Sequence, residues 1–389
     1  MIELVFWLAA LTVAYTWAGY PLVLLIARRH AAVPGRRRLP RLTVIISAYN
    51  EASCIAAKLR STLTQRYPWD RLEVIVVSDG STDATDAIVA HYPDPRVRLL
   101  RQETRSGKSL ALNRGVAVSH GDILVFTDAN ALFAPEALAR LAAPFADPTV
   151  GLVSGQGLYA TAAAAARADS PVVSNGYVRY EALLRSGEAA LGTMAGADGA
   201  IYALRRDFYR DLKAAEVNDF LHPLLVALHG ARCRFVPGAY TVEPPSNGGG
   251  QEFRRHVRMI AQGVQIARDW LPKLVAARRW RAAWMIVSHR VLRWTTALGL
   301  AAMLGANLVL AETAPIYVAT LAAQAGFYLL AAAGWLAERS GRAIGRLALP
   351  YYFCVVSAAG VAGILRFVRS GAESVWAPAG QAPATERVA

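Results

Sequence analysis

The first 27 residues constrain this chain more than any other stretch. Residues 2 to 27 include the run VFWLAALTVAYTWAGYPLVLLIA and carry one acid, Glu3, and no basic side chain. A segment of that length crosses a bilayer whose hydrocarbon layer is about 30 Å thick. A cleaved signal peptide is the alternative, but the charged n-region is missing and the basic residues follow the apolar run instead of preceding it. Arg28, Arg29, Arg36, Arg37, Arg38 and Arg41 come directly after it. The positive-inside bias then places residues 1–28 as an anchor, the N-terminus outside and the next domain in the cytoplasm.

Three further apolar stretches lie near residues 294–311, 315–337 and 347–368. The link around Glu312 has no basic residue, whereas 338–346 contains Arg339, Arg342 and Arg346, the alternation that a cytoplasmic start requires. Residues 294–369 therefore read as three transmembrane helices and 370–389 as a tail ending outside, in a multi-pass protein of a bacterial-type inner membrane. Residues 272–293 mix Leu274, Trp280, Trp284 and Ile286 with Lys273, Arg278, Arg279, Arg281 and Arg290. This pattern predicts an interfacial amphipathic helix in contact with membrane lipids, with a solvated helix as the alternative. A hydrophobic content of 54% agrees with a chain partly in lipid. The formal charge of +14 suits anionic lipid or phosphorylated ligands. Nucleic acid is a poor partner, because the arginines gather beside the spans and no aromatic stacking platform is evident. Cys54, Cys233 and Cys354 are odd in number and widely spaced, which indicates neither a disulfide framework nor a zinc site.

Between the membrane parts, residues 40–270 alternate short apolar runs with helical patterns and predict a cytoplasmic α/β domain with a mainly parallel sheet. LTVIIS (42–47), LEVIVVS (72–78), VRLL (97–100) and DILVFT (122–127) read as buried strands. AYNE (48–51), DGSTD (79–83) and DAN (128–130) follow three of them. Ligands of open α/β sheets bind outside the carboxyl ends of strands, so these clusters should meet in one crevice. The first strand is not followed by GxGxxG, which disfavours a dinucleotide-dependent dehydrogenase.

The ordered set AYNE, VVSDGSTDAT, GKSLALNRG, VFTDAN, GADGAIYALRR, Asn218-Asp219 and RRHVRM resembles the family 2 glycosyltransferases. The late apolar helices are similar to those of polysaccharide synthases in that family. The resemblance implies the GT-A fold, a nucleotide-diphospho-sugar donor and inversion at the anomeric carbon. It sets Asp128-Ala129-Asn130 at the family's Asp-x-Asp position. Side chains at i and i+2 of an extended segment point the same way, and oxygen ligands there suit Mg²⁺ or Mn²⁺; a plain turn after the strand is the alternative. Asn130 is a weaker, neutral ligand than a second carboxylate.

The same resemblance assigns Asp79 to the uracil or ribose of a UDP-sugar, with Tyr49, Glu51 and Lys108 in the donor pocket. Asp83 is read as a helix cap. Lys108 opens a helix where free backbone N–H groups would meet an anion, although a solvated lysine also fits. Asp219 corresponds to the catalytic base, with helix capping as the alternative and His222 as a weaker base. Asn218 replaces the first acid of the family's pair and removes a like charge that would raise the base's pKa. Gly196, Asp198 and Gly199 correspond to acceptor contacts. Arg258, on a helix with Arg254 and Arg255, corresponds to a diphosphate clamp. Processive relatives carry Gln-x-x-Arg-Trp where this chain has Arg255-His256-Val257-Arg258-Met259, so processive polymerisation is not implied.

The expected function is transfer of one hexose or N-acetylhexosamine from a UDP-sugar to a lipid-linked or polysaccharide acceptor at the cytoplasmic membrane face, in exopolysaccharide or cell-surface glycan synthesis. Transfer to a polyprenyl phosphate is an alternative that needs no hydroxyl base. A non-catalytic nucleotide-sugar-binding membrane scaffold is another, supported by the incomplete acidic pairs.

Overall fold

The computed structural model describes residues 1–26, 39–159, 176–244, 249–342 and 344–372. The arginines at 28, 29 and 36–38 and most of the tail lie outside these residues. The described chain divides into a helical unit, from residues 1–23, 249–267 and 286–372, and an α/β unit, from residues 24–26, 39–159, 176–244 and 268–285.

Helix α1 runs from Ile2 to Ile26 with a five-residue π-turn at Tyr15–Gly19. In the α/β unit the expected strands are present as β1 (Leu42–Ala48), β2 (Leu72–Asp79), β3 (Val97–Gln102) and β4 (Ile123–Asp128). Between them run α2 (Ile55–Leu63), α3 (Thr85–Ala90) and α4 (Lys108–Ala117). The strands lack polar alternation because both faces are covered. Val44, Ile46, Val74 and Val76 share a core with Ile55 and Leu59 of α2, while Ile75 and Val77 pack on Ala111 of α4.

The chain continues through β5 (Leu132–Phe133), α5 (Ala137–Ala142), β6 (Val150–Tyr159), α6 (Gly176–Ala190), β7 (Tyr202–Arg205), α7 (Asn218–Leu228) and β8 (Arg232–Glu243). The eight strands form one sheet in the order β3-β2-β1-β4-β7-β6-β8-β5. The β3-β2-β1-β4 half is parallel, and β7 runs antiparallel to both β4 and β6. Register pairs Ala48 with Ser78 and Ser47 with Asp128, so the carboxyl ends of β1, β2 and β4 lie level, as the crevice expectation requires.

Helix α8 (Gly249–Ala276) contributes residues 249–267 to the helical unit and 268–276 to the α/β unit. The single interfacial helix expected over 272–293 is not continuous. Residues 272–276 finish α8, Arg278 turns the chain with φ 58°, and α9 (Trp280–Met285) and a π-turn (Ile286–Val291) follow. Next come α10 (Thr296–Leu310), α11 (Pro315–Arg339) and α12 (Ala348–Ser370). Where four spans are expected, three helices among the described residues are long and apolar enough to cross a membrane: α1, α11 and Gly345–Ser370. Helix α10 has 15 residues. At about 1.5 Å per residue it falls short of about 30 Å of hydrocarbon.

Inside the helical unit, Phe6 of α1 packs with Ala306, Leu310 and Tyr317. Gly360 of α12 lies so close to Trp294 that a Cβ there would be 2.3 Å from its carbonyl oxygen, the kind of small-residue contact that brings helices together. Glu338 accepts hydrogen bonds from the Gly249 N–H at 3.0 Å, the Tyr351 hydroxyl at 2.7 Å and the Tyr352 hydroxyl at 3.2 Å.

Candidate active site

The loops after β1 and β2 are tied together by short polar side chains. Asn50 takes the left-handed region (φ 56°), which asparagine tolerates, and its Oδ1 accepts the Thr82 N–H at 2.8 Å. The Asn50 N–H donates to Ser81 Oγ at 3.1 Å, and the Ala52 N–H to Asp83 Oδ2 at 3.0 Å. Asp83 Oδ1 also accepts the Thr85 N–H and hydroxyl, at 3.0 and 2.5 Å, which holds the start of α3 as a cap would. Glu51 lies close enough to this frame that burial foremost, with the charges of Asp128 and Asp83, raises its pKa despite a lowering hydrogen bond from Cys54.

Asp79 is buried at the end of β2, and its carboxylate is engaged within the protein. Oδ1 accepts the Ser106 N–H at 2.7 Å and hydroxyl at 3.2 Å, and Oδ2 accepts the Gly107 N–H at 2.8 Å. Asp79 thus takes the amides of residues 106 and 107, which precede α4. Gly80 makes this approach possible: its φ is 71°, and a Cβ would stand 2.9 Å from the Arg105 nitrogen. Arg105 in turn lies over the Tyr49 ring at 3.7 Å.

Asp128 closes β4, and Ala129 and Asn130 turn at once, with the Ala131 N–H 3.3 Å from the Asp128 carbonyl. The extended i, i+2 geometry expected for this motif is thus replaced by a turn at Ala129-Asn130. Asp128 Oδ1 accepts a hydrogen bond from Lys108 Nζ at 2.5 Å. Burial alone would lower the Lys108 ammonium, but Asp128, with Asp219 and Glu243 beyond it, raises it. The pair is 40% and 38% exposed, so it is worth no more than about 1 kcal/mol and is open to exchange with incoming ligands.

Asp219 lies in the first turn of α7. Residue 199 packs directly on it: a Cβ at Gly199 would be 2.7 Å from Asp219 Oδ2. Asn218 is buried below, donating from Nδ2 to the Tyr202 hydroxyl at 2.6 Å, and that hydroxyl lies 2.9 Å from His222 Nδ1. Burial foremost, with the Arg210 charge, pushes His222 down to about 3, so it is neutral at pH 7 and unsuited to trade protons with a ligand. Asp198, expected to meet an acceptor, pairs with Arg185 at 2.6 Å and accepts the Gly157 N–H at 2.9 Å. Gly196 is buried in the same loop. Arg258 is half-buried on the part of α8 that belongs to the helical unit.

The sequence reading missed two charged residues here. Lys58 of α2 is fully buried and donates to Thr127 Oγ1 at 2.6 Å and to the Ala131 carbonyl. Nothing in its helical spacing distinguishes it from a solvated lysine. Glu243 ends β8, a strand the apolar pattern did not reveal, yet its charge acts on both Lys58 and Lys108.

No group of three or more His, Cys, Asp or Glu that could hold a metal occurs among the described residues. One strand-end carboxylate with Asn130 nevertheless fits Mg²⁺ or Mn²⁺ bound together with a diphosphate, since such ions keep waters and take phosphate oxygens beside one or two protein ligands.

The family model for Glycosyl transferase family 2 matches residues 43–180. The succinoglycan biosynthesis protein ExoO of Rhizobium meliloti is 36% identical over 108 residues, 28% of this chain and 30% of that protein. The beta-monoglucosyldiacylglycerol synthase of Synechocystis is 36% identical over 116 residues, 29% of this chain and 24% of that protein. The chain thus matches about a quarter to a third of the length of these relatives. The mannosyltransferase PcManGT from Pyrobaculum calidifontis, solved with GDP-Man and Mn²⁺, superposes with a TM-score of 0.69 over 95% of this chain and 99% of that one. At 24% identity this likeness is one of fold.

Proposed function

We propose that this chain, whose residues 43–180 belong to glycosyl transferase family 2 on a GT-A fold, is an inverting transferase. It moves one hexose or N-acetylhexosamine from a UDP-sugar to a lipid-linked or polysaccharide acceptor at the cytoplasmic face of a bacterial-type inner membrane. The observation that carries this reading is the convergence of the end of β4, the start of α4 and the start of α7: Lys108 bonds Asp128 at 2.5 Å, and Thr127, beside Asp128, bonds Ala200, whose neighbour Gly199 packs on Asp219.

Asp128 and Asn130 would hold Mg²⁺ or Mn²⁺, which when bound would supply positive charge to the departing diphosphate. Lys108 exchanges its contact with Asp128 for a phosphate oxygen of the donor. Tyr49 and Glu51 line the nucleotide end, and Asp79 shapes it by fixing the amides of residues 106 and 107. Gly196, Asp198 and Gly199 form the acceptor side. Asp219 takes the proton of the acceptor hydroxyl as its oxygen bonds to the anomeric carbon and the bond to the diphosphate breaks with its electron pair. The contact at Gly199 makes this base sensitive to packing. Gly199→Ala is expected to leave nucleotide affinity unchanged and to lower turnover by about 10²-fold, the cost of misplacing a reacting group by about 1 Å. Parallel calorimetry and nucleotide-release assays check it.

Two relatives named for succinoglycan and glycolipid synthesis support a glycan or lipid acceptor. The GDP-Man and Mn²⁺ of the structural neighbour support a nucleotide-sugar and a divalent cation. The apolar helices support membrane insertion, and Arg339, Arg342 and Arg346 support a cytoplasmic link between α11 and α12; both termini outside further requires a fourth crossing, for which α10 alone is too short. The test incubates detergent-solubilised protein with Mg²⁺ or Mn²⁺, a membrane lipid extract and a panel of UDP-sugars and GDP-mannose. Nucleotide release with labelled lipid or glycan is expected with a UDP-sugar. Turnover with GDP-mannose alone reassigns the donor, and none with any donor leaves only the scaffold reading.

A further inference from the structure

We infer that Lys58 is a positioning residue of the transfer site: from beneath the sheet it holds the Asp128-Ala129-Asn130 turn against the loop that carries Gly199, so that donor and acceptor sides keep one geometry. The inference rests on the roles proposed for Asp128 and Asp219. Lys58 points from α2 into an apolar layer formed by neighbours such as Ile55 and Leu59. Its two hydrogen-bond acceptors bracket the turn, Thr127 Oγ1 on one side at 2.6 Å and the Ala131 carbonyl on the other. The Phe133 ring lies 3.7 Å from the same nitrogen and completes its surroundings.

The contact does not end at the turn. Thr127 Oγ1, accepting from Lys58, donates its own proton to the Ala200 carbonyl at 2.7 Å. Ala200 follows Gly199, the residue packed on Asp219. A continuous polar strut therefore runs from α2 through β4 to the loop beside the proposed base. Burial pushes Lys58 down to about 7, offset in part by Asp128 and Glu243. An apolar side chain of similar length would fill this space without that desolvation. What it would lack is the donors that hold two oxygens on opposite sides of one turn. Lys58 is fully buried, so its effect passes through Thr127 and the turn.

The test uses the full chain in detergent and compares Lys58→Met, Thr127→Val, Thr127→Ser and the Lys58→Met/Thr127→Val double variant. Affinity for Mn²⁺ with UDP or GDP is measured by calorimetry, and kcat and KM by nucleotide release. Lys58→Met and Thr127→Val are each expected to lower kcat by about tenfold or more with KM little changed, since misplacement is felt mainly in the reacting geometry. Thr127→Ser keeps the hydroxyl and is expected to keep wild-type kcat. Because both residues belong to one strut, the double variant should fall well short of the product of the two single losses. If Lys58→Met does not fold, the Val and Ser variants of Thr127 decide the question. Folded variants with kcat within about twofold of wild type, or losses that simply multiply, overturn the strut. A wild-type chain that neither binds nor turns over any nucleotide sugar overturns the proposed function and the strut with it, a result distinct from active wild type with unaffected variants.

Discussion

Asp128→Ala is expected to lower nucleotide-sugar turnover by on the order of 10²–10³-fold and to abolish its response to divalent cation. The size of the effect follows from the composition of the site. Among the described residues no cluster of acids stands ready to replace Asp128, and Asn130 contributes at most a neutral oxygen. Losing the carboxylate also leaves Lys108 without its 2.5 Å partner, so the charge arrangement changes on both sides of the phosphate. Asp128→Asn separates the two effects, because it keeps the volume and removes the charge. Nucleotide release over a Mg²⁺ or Mn²⁺ titration, together with UDP affinity with and without cation, is the measurement. Unchanged turnover and unchanged cation dependence in Asp128→Ala would show that the metal has been placed on the wrong residue.

Asp219→Asn should lower transfer to a hydroxyl acceptor by about 10²–10⁴-fold while nucleotide affinity stays at the wild-type level. Asparagine suits the start of a helix as well as aspartate does, so α7 should persist and the loss should report chemistry. His222 cannot take over, since it is fully buried beside Tyr202 and that burial, pushing it down to about 3, leaves it too weak a base. The variant also separates two acceptor classes. A polyprenyl phosphate attacks without giving up a hydroxyl proton, so transfer to it would survive the substitution. Assays with a lipid extract and with purified polyprenyl phosphate, run on both proteins, distinguish these outcomes.

The legible parts of this chain are those where one local property decides the structure. Val, Ile and Leu fill 42–47 and 72–78 without polar interruption, and such runs are stable only as strands covered on both faces, which is how β1 and β2 are found. The polar residues directly after them had to lie at the strand ends, and register brought them level. Strands β6 and β8 were not legible, because glycines in VGLVSGQGLY and Arg and Pro in RCRFVPGAYTVE break the apolar pattern while pairing within the sheet stabilises them. The break at Arg278 was equally hidden, since arginine carries no intrinsic preference for a positive φ.

At the site the division is similar. The order of motifs singles out Asp128 and Asp219, which stand at a strand end and a helix start as their surroundings in sequence implied. Tertiary structure alone decided their partners: Asp79 to the amides before α4, Asp198 to Arg185, Lys108 to Asp128, and Lys58 to the underside of the turn. The physical reason is that burial and periodicity are encoded over a few neighbouring residues, whereas a charge finds its partner across 13 to 73 positions of chain, a distance at which only the completed packing specifies what it touches.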